Sequence, residues 1–308
     1  MMILLLICLA ASVLAGGYYA YRIAFYSPSM NREKIPSVEG TQFEPFREEI
    51  ARLFRRIRDL PCEYVTITSY DGLVLSGRYY HVKDGAPVDI GFHGYHSSAF
   101  TDFAGGSEMS MHLEHNLLLV DQRAHGRSQG KTITFGIRER LDAVSWIEFI
   151  IQRFGQDTQI VLYGVSMGAA TVLMASGQEL PGNVKGIIAD CPYSSPMEII
   201  LHVGRSNPLP QWLIKPFVII GAKVYGRFNI LETDVVRAVT NANIPILIIH
   251  GEKDGFVPCK MSEPAYHANP AMVTRVTFPG ADHALSYLMD TKRYWKIVTA
   301  FMESIFPK

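Results

Sequence analysis

The sequence predicts an α/β protein built on a mostly parallel, doubly wound sheet. Short and nearly continuous apolar runs, typical of strands buried on both faces, recur at 88–92, 116–121, 159–164, 184–190, 244–250 and 275–278. Helical patterns alternate with them, most clearly at 137–155 and 167–177. Such alternation is typical of parallel strands joined by right-handed crossovers. With 308 residues, 48% of them hydrophobic, the chain can bury a large core.

The amino-terminal segment is apolar enough to cross a membrane. It carries no charged side chain between Met1 and Tyr21, and a spanning helix needs about 20 apolar residues. We predict an uncleaved single-pass anchor over residues 1–27. A cleaved signal peptide would share this apolar core, but no Lys or Arg precedes it and aromatic residues follow it. The nearby charges leave open which side of the membrane the rest of the chain occupies.

The segment after the anchor predicts a linker. Residues 28–42 are polar and are interrupted by two prolines and a glycine. The globular domain is therefore expected over 43–308. It opens with apolar residues at helical spacing, which predict an amphipathic helix over 43–60.

Two β-patterned runs follow this helix and predict antiparallel first strands. They cover residues 62–70 and 73–82 and are joined at Asp71-Gly72, a dipeptide that favours a tight hairpin. Much later, residues 192–243 interrupt the strand and helix alternation, which is long for one connection. We predict that this segment forms a small helical cap over the carboxyl edge of the sheet, where ligands bind in open α/β folds.

A serine lies between a predicted strand and a predicted helix. The strand runs into the helix through Gly164-Val165-Ser166-Met167-Gly168. A G-x-S-x-G sequence in this context places the serine on a strained turn, with its hydroxyl exposed and a helix amino terminus beside it. We therefore predict that Ser166 is a nucleophile and that Gly164 and Gly168 shape its turn. A plain Gly-Ser turn before a helix is the alternative.

A serine nucleophile needs a base, and the base needs an acid to orient it. Asp254 follows the run 244–250 and His283 follows the run 275–278, so both loops reach the sheet edge that carries Ser166. The order serine, acid, histidine is the one this motif requires. We predict that His283 is the general base and that Asp254 orients it. Asp190, which ends a strand, and Glu252 remain alternative acids.

Backbone N–H groups should stabilise the oxyanion of the reaction. We expect one from Met167, after the nucleophile, and one from Tyr95, in the loop after the strand 88–92. His93 and His96 lie in the same loop. Because no carboxylate lies at ligand spacing, a turn-stabilising role is favoured for them over metal binding.

The composition argues against several other functions. Lys and Arg together number 29, as do Asp and Glu, and no basic run occurs, so nucleic acid is not an expected partner. The four cysteines lack CxxC spacing, which predicts neither a metal site nor a disulfide framework. The chemistry of the serine, histidine and acid requires no cofactor.

Five motifs resemble those of a known family. In chain order, HGYHSS, DQRAHGRS, GVSMG, HGEKDGFVP and PGADHALSY are similar to the oxyanion loop, post-strand turn, nucleophile elbow, acid loop and histidine loop of α/β hydrolases. The resemblance covers roughly residues 60 to 308 and is nearest to the membrane-anchored bacterial branch related to serine aminopeptidases and monoacylglycerol lipase-like hydrolases. It implies the α/β-hydrolase fold, a Ser166, Asp254 and His283 triad, and hydrolysis of an acyl ester, thioester or amide. The cap is shorter than the lids of lipases in this family.

The expected function is that of a membrane-tethered carboxylesterase. It would act on a small-molecule or lipid acyl substrate through an acyl-enzyme intermediate. Aminopeptidase, thioesterase and acyltransferase activities on the same triad are alternatives, as is a non-catalytic scaffolding protein. The acyl pocket is expected to involve the cap, which offers the aromatic residues Trp212, Phe217, Tyr225 and Phe228.

Overall fold

The computed structural model describes residues 1–28, 38–206 and 208–306. Within these ranges, eight strands form one sheet: β1 (Glu63–Thr68), β2 (Val74–Tyr80), β3 (Val88–Phe92), β4 (Asn116–Asp121), β5 (Ile160–Val165), β6 (Val184–Asp190), β7 (Ile246–Gly251) and β8 (Val273–Phe278). Each predicted apolar run has become a strand.

The sheet has the order β1-β2-β4-β3-β5-β6-β7-β8. The pairs β1 with β2 and β2 with β4 are antiparallel, and the pairs from β4 to β8 are parallel. Gly72, with φ of +86°, turns the chain between β1 and β2, a conformation that glycine adopts without steric cost. The predicted mixture of antiparallel first strands and a parallel remainder is confirmed.

The helices of the described ranges are α1 (Met2–Ala24), α2 (Arg47–Asp59), α3 (Ala99–Asp102), α4 (Ala104–His112), α5 (Glu139–Phe154), α6 (Met167–Ala175), α7 (Pro196–Val203), α8 (Gln211–Ile220), α9 (Val235–Thr240), α10 (Glu263–Ala268), α11 (Ser286–Met289) and α12 (Thr291–Ile305). Helices α5, α6, α9 and α10 cover one face of the sheet, and α2, α3, α4, α11 and α12 cover the other. Both faces are thus buried, which explains the continuous apolar character of the strands.

The segment between β6 and β7 divides into two parts. Helices α7 and α8, followed by a π-helical turn at Gly221–Tyr225, lie over the carboxyl end of the sheet beside Ser166. Helix α9 instead packs against α6 on the face of the sheet. Of the predicted 192–243 cap, α7 and α8 are the part that covers the site.

Helix α1 is long enough to cross a membrane, yet it does not stand free of the globule. It has 23 residues, an 18-residue window of it has a mean hydropathy of 2.1, and most of its side chains are exposed. Its carboxyl end packs against α8, and Phe25, just after it, is fully buried between Phe135 and Phe228. The packed core therefore extends upstream of residue 43. Most of the predicted linker, residues 29–37, lies outside the described ranges.

Candidate active site

Ser166 lies at the sharp turn where β5 meets α6. Its φ of +56° and ψ of −115° are rare for a residue with a side chain. Such strain is characteristic of functional positions, where the surrounding structure enforces it. The turn places Ser166 at the carboxyl edge of the sheet, at the amino terminus of a buried helix.

The two glycines of the motif are required by close backbone packing. A Cβ on Gly164 would overlap the backbone of Gly168, and a Cβ on Gly168 would overlap the carbonyl oxygen of Phe92. The elbow thus brings α6 against both β5 and the end of β3. The structure places Gly164 and Gly168 in the turn-shaping positions that the sequence predicts.

His283 lies between Ser166 and Asp254. Its Nε2 is 3.0 Å from Oγ of Ser166, and its Nδ1 is 2.7 Å from Oδ2 of Asp254. Both distances are within hydrogen-bonding range. The structure therefore brings together the three side chains that the sequence selected, in the order that a proton relay requires.

The Asp254 carboxylate is buried and accepts hydrogen bonds from several neighbouring groups. Its Oδ1 accepts hydrogen bonds from the backbone N–H groups of Phe256 (3.0 Å) and Val257 (2.7 Å). Burial alone would raise its pKa, but hydrogen bonds from His250 and His283 outweigh burial and lower the pKa to about 2. Asp254 is thus ionised at neutral pH and can stabilise a protonated His283.

Neither alternative acid contacts His283. The Oδ2 of Asp190 accepts a hydrogen bond from the Tyr294 hydroxyl at 3.0 Å, and burial raises the pKa of Asp190 to about 6. Glu252 accepts a hydrogen bond from Thr277 at the surface. Of the three candidate acids, the geometry favours Asp254.

The loop after β3 approaches the serine from one side. Tyr95 and Met167, whose backbone N–H groups are predicted to bind the oxyanion, line the same pocket as Ser166. The Tyr95 phenol donates to the carbonyl oxygen of Ala24 at 3.0 Å, and its ring stacks on Phe135. The side chain of Tyr95 therefore joins the oxyanion loop to the end of α1.

His93 and His96 connect this loop to the turn after β4. The fully buried His93 accepts a hydrogen bond from the backbone of Gln122 at 3.1 Å, and the Gln122 amide donates to the His93 carbonyl oxygen. The backbone N–H of His96 donates to Nε2 of His125 at 3.1 Å. These contacts fit the turn-stabilising role that the sequence favoured.

Two further residues hold the relay in place and were missed by sequence reasoning. The Nε2 of the fully buried His250 lies 3.3 Å from Oδ2 of Asp254. Oδ1 of Asp282 accepts hydrogen bonds from the backbone of Gly255 (2.9 Å) and of His283 (2.7 Å), which joins the acid loop to the histidine loop. Their positions in the sequence could have identified them, because His250 lies four residues before Asp254 and Asp282 is adjacent to His283.

Cys191 lies beside the relay and could suggest a metal site. Among the described residues, ligand atoms of Cys191, Asp254 and His283 lie within 4.8 Å of one another. A thiol must ionise to bind a metal, but burial raises the pKa of the Cys191 thiol well above its ordinary value. The other two side chains are hydrogen bonded to each other. Asp254 and His283 are thus paired with each other, and the Cys191 thiol lies beside them in its neutral form.

An apolar pocket of about 540 Å³ opens beside Ser166. Its walls come from α1, α7 and α8, and Phe256 and Val257 of the acid loop complete it. Of the four aromatic residues of the predicted cap, Phe217 lines the pocket. Trp212 is exposed, Tyr225 contacts α1, and Phe228 packs against Phe25. The volume is in the range of ordinary small-molecule sites.

Comparison with known proteins agrees with this fold. Residues 103–222, which include Ser166 but not Asp254 or His283, match the alpha/beta hydrolase fold family. The solved Pyrococcus furiosus esterase Pf2001 superposes with a TM-score of 0.68 at 20% identity, covering 91% of this chain and 98% of that one. The chain thus has the α/β-hydrolase fold that the resemblance implies, and the part of it that includes Ser166 matches the family; the finer bacterial branch stays a prediction.

Two curated relatives match more narrowly. The uncharacterized protein YqkD of Bacillus subtilis is 27% identical over 191 residues, which cover 62% of this chain and 63% of that protein. The uncharacterized protein YfhR of Escherichia coli is 25% identical over 169 residues, 54% of this chain and 53% of its own length. The matches thus span less than two thirds of these relatives.

Proposed function

We propose that the protein is a membrane-anchored serine hydrolase that cleaves an acyl ester through an acyl-enzyme intermediate. The observation that carries the proposal is the continuous chain of contacts from Ser166 Oγ through His283 to Asp254, at 3.0 and 2.7 Å. A strained serine, a histidine and an ionised carboxylate in this arrangement have the geometry needed to activate a hydroxyl.

The mechanism follows from these contacts. Ser166 Oγ attacks the ester carbonyl carbon while Nε2 of His283 takes its proton, and Asp254 stabilises the resulting imidazolium. The backbone N–H groups of Tyr95 and Met167 bind the oxyanion, each worth about 10²–10³ in rate. The intermediate collapses, and His283 protonates the departing alcohol. Water, deprotonated by His283, then attacks the acyl-enzyme and releases the acid and Ser166.

The pocket favours an ester with an apolar acyl group. Apart from Ser166, its lining is dominated by aliphatic and aromatic side chains, and no Asp, Glu, Lys or Arg is among its described residues. Such a lining offers an aminopeptidase no charged group with which to hold a substrate amino terminus. The structurally similar Pyrococcus furiosus protein is named an esterase, which supports an ester as the substrate. Thioesterase and acyltransferase reactions use the same relay and differ only in the leaving group or acceptor.

The anchor is proposed to be retained in the mature protein. Cleavage after α1 would remove the helix that packs against α8, and it would disturb the buried Phe25 and the bridge between Tyr26 and Thr132. The first half of α1 exposes its leucines and isoleucines, which is expected of a helix that faces lipid.

The proposal is tested on the full chain in detergent. We expect a fluorophosphonate probe to label the parent but not Ser166→Ala, and p-nitrophenyl ester turnover to fall by at least about 10³ in the variant. Ser145→Ala, a change at a half-buried position of α5 outside the pocket, is the matched control and should label like the parent. A folded parent that neither labels nor turns over ester would instead favour the scaffolding alternative.

A further inference from the structure

We infer that α1 forms one wall of the acyl pocket and that the substrate is a lipid ester drawn directly from the bilayer. The inference rests on the proposed function and specifies its substrate class. In the pocket, residues of α1 lie opposite the cap and beside Ser166.

One face of α1 lines the pocket. The lining residues Gly16, Tyr19, Ala20, Ile23 and Ala24 have the spacing i, i+3, i+4, i+7 and i+8, which places them on one side of a helix. Three of the five are glycine or alanine, whose small side chains leave room in the pocket that contains Ser166. The facing wall includes Ile199, Ile200, Val203, Ile214, Phe217 and Val218. The space between the walls can accept an alkyl chain.

A neighbouring face of α1 is fixed to the cap. A Cβ on Gly17 would overlap Ile220, which shows how closely α1 and α8 approach. The Tyr225 hydroxyl donates to the Leu14 carbonyl oxygen at 3.0 Å, and the Tyr225 ring contacts Tyr18 at 5.2 Å between centroids. Helix α1 is therefore held as a fixed wall of the site. It supplies a surface that the short cap does not.

The sequence of α1 places this wall at the membrane boundary. The exposed apolar stretch of α1 is followed by Tyr18, Tyr19, Tyr21 and then Arg22. Aromatic residues followed by a cation are typical of the boundary between membrane and water, which lies near Tyr21 on this argument. The pocket-lining residues from Gly16 to Ala20 would then lie just inside the bilayer, and Arg22 would lie at its surface.

The surface around the pocket is consistent with this depth. Val203 and Phe256, which line the pocket, are 47% and 43% exposed, and Trp212 at the start of α8 is 73% exposed. Tyr19 on α1 is 67% exposed. Exposed apolar and aromatic residues in a pocket lining and on the helix beside it are typical of a surface that contacts lipid headgroups and acyl chains.

The role of α1 as a wall of the pocket is tested with a larger side chain that narrows the pocket. Ala20→Phe in the full chain should lower the ratio of p-nitrophenyl decanoate to p-nitrophenyl acetate turnover at least about tenfold, because one methylene in an apolar pocket can change specificity by 10-fold or more. Ala15→Phe makes the same change at an exposed position of the same helix and should keep the parent ratio. Rates are normalised to the fraction of chains that a small fluorophosphonate labels.

A second variant keeps the test informative if Ala20→Phe does not fold. Ile23→Ala widens the same wall and should shift the preferred acyl length upward. If both variants kept the parent profile, α1 would not be a wall of the pocket, although a labelled and active parent would still support the hydrolase. Absence of labelling in the parent would instead overturn the proposed function itself.

Access from the bilayer is tested with p-nitrophenyl palmitate in phosphatidylcholine vesicles. We expect initial hydrolysis at least about tenfold faster when protein and ester share vesicles than when the ester is supplied in separate vesicles. Equal initial rates in the two arrangements would show that the substrate arrives through water and would overturn this part of the inference.

Discussion

Asp190→Asn separates stability from catalysis at the end of β6. Asp190 is buried, and its Oδ1 has no hydrogen-bond partner among the described residues. Burial raises its pKa from 3.8 to about 6, against the opposing effect of the Tyr294 hydrogen bond. Asparagine keeps the shape of the side chain and removes its ionisation. We therefore expect the variant to be more stable at high pH while its turnover stays close to that of the parent.

The magnitude follows from the two pKa values. The pKa of Asp190 is higher in the folded protein than in the unfolded chain. The contribution of Asp190 to the free energy of unfolding is therefore fully present below about pH 3.8 and is lost as the pH rises through about 6. The difference corresponds to about 3 kcal/mol at 1.36 kcal/mol per pH unit. In the variant, the asparagine amide can occupy the position of the unpartnered Oδ1, and a buried donor without an acceptor costs about 1 kcal/mol. Asp190→Asn should therefore stabilise the protein by about 2 kcal/mol at pH 8 and by almost nothing at pH 4.

The assay is thermal melting of the full chain in detergent at pH 8 and pH 4, with p-nitrophenyl acetate turnover measured at pH 8. For a domain of this size, about 2 kcal/mol corresponds to a rise in Tm of roughly 4–8 °C. Turnover should stay within about threefold of the parent, because Asp190 does not contact His283. A lower Tm at pH 8 would refute the burial argument. A fall in kcat as large as that of Asp254→Asn would make Asp190 the acid.

Three further outcomes are expected. Asp254→Asn should lower kcat for p-nitrophenyl acetate by about 10⁴, since the histidine loses its oriented tautomer, and a drop below tenfold would contradict the assignment. Gly168→Ala should abolish labelling by fluorophosphonate, because its Cβ would overlap the Phe92 carbonyl oxygen; a labelled variant would show that the elbow can relax. Phe25→Ala should lower the free energy of unfolding by about 3–5 kcal/mol, measured by thermal melting. Leu9→Ala, at an exposed position of α1, should leave Tm unchanged.

The sheet and the turn at Ser166 were predictable because their signals are local. Strands buried on both faces have continuous apolar sequences, and each such run became a strand. The motif at this turn is equally local, since Gly164, Ser166 with its positive φ, and Gly168 lie within five residues. Asp254 and His283 could be placed at the same sheet edge because the carboxyl ends of parallel strands meet there.

Contacts between distant segments were not predictable in the same way. Asp190 and Asp254 both follow strands, and only the directions of their side chains distinguish them. Helix α1 is apolar on all sides, so its sequence does not show which face packs against α8 and which is exposed. The Tyr95 hydroxyl reaches the carbonyl of Ala24, 71 residues away, through a contact that no periodicity records.

Capture of the acyl-enzyme tests the central claim most directly. The full chain is mixed with p-nitrophenyl decanoate, quenched in acid within the first turnovers, and analysed by intact and peptide mass spectrometry. We expect one decanoyl group per labelled chain, located on Ser166, and none in Ser166→Ala. Ester turnover by the parent with no acyl group on Ser166, or with the group on another residue, would contradict a serine hydrolase built on Ser166, His283 and Asp254.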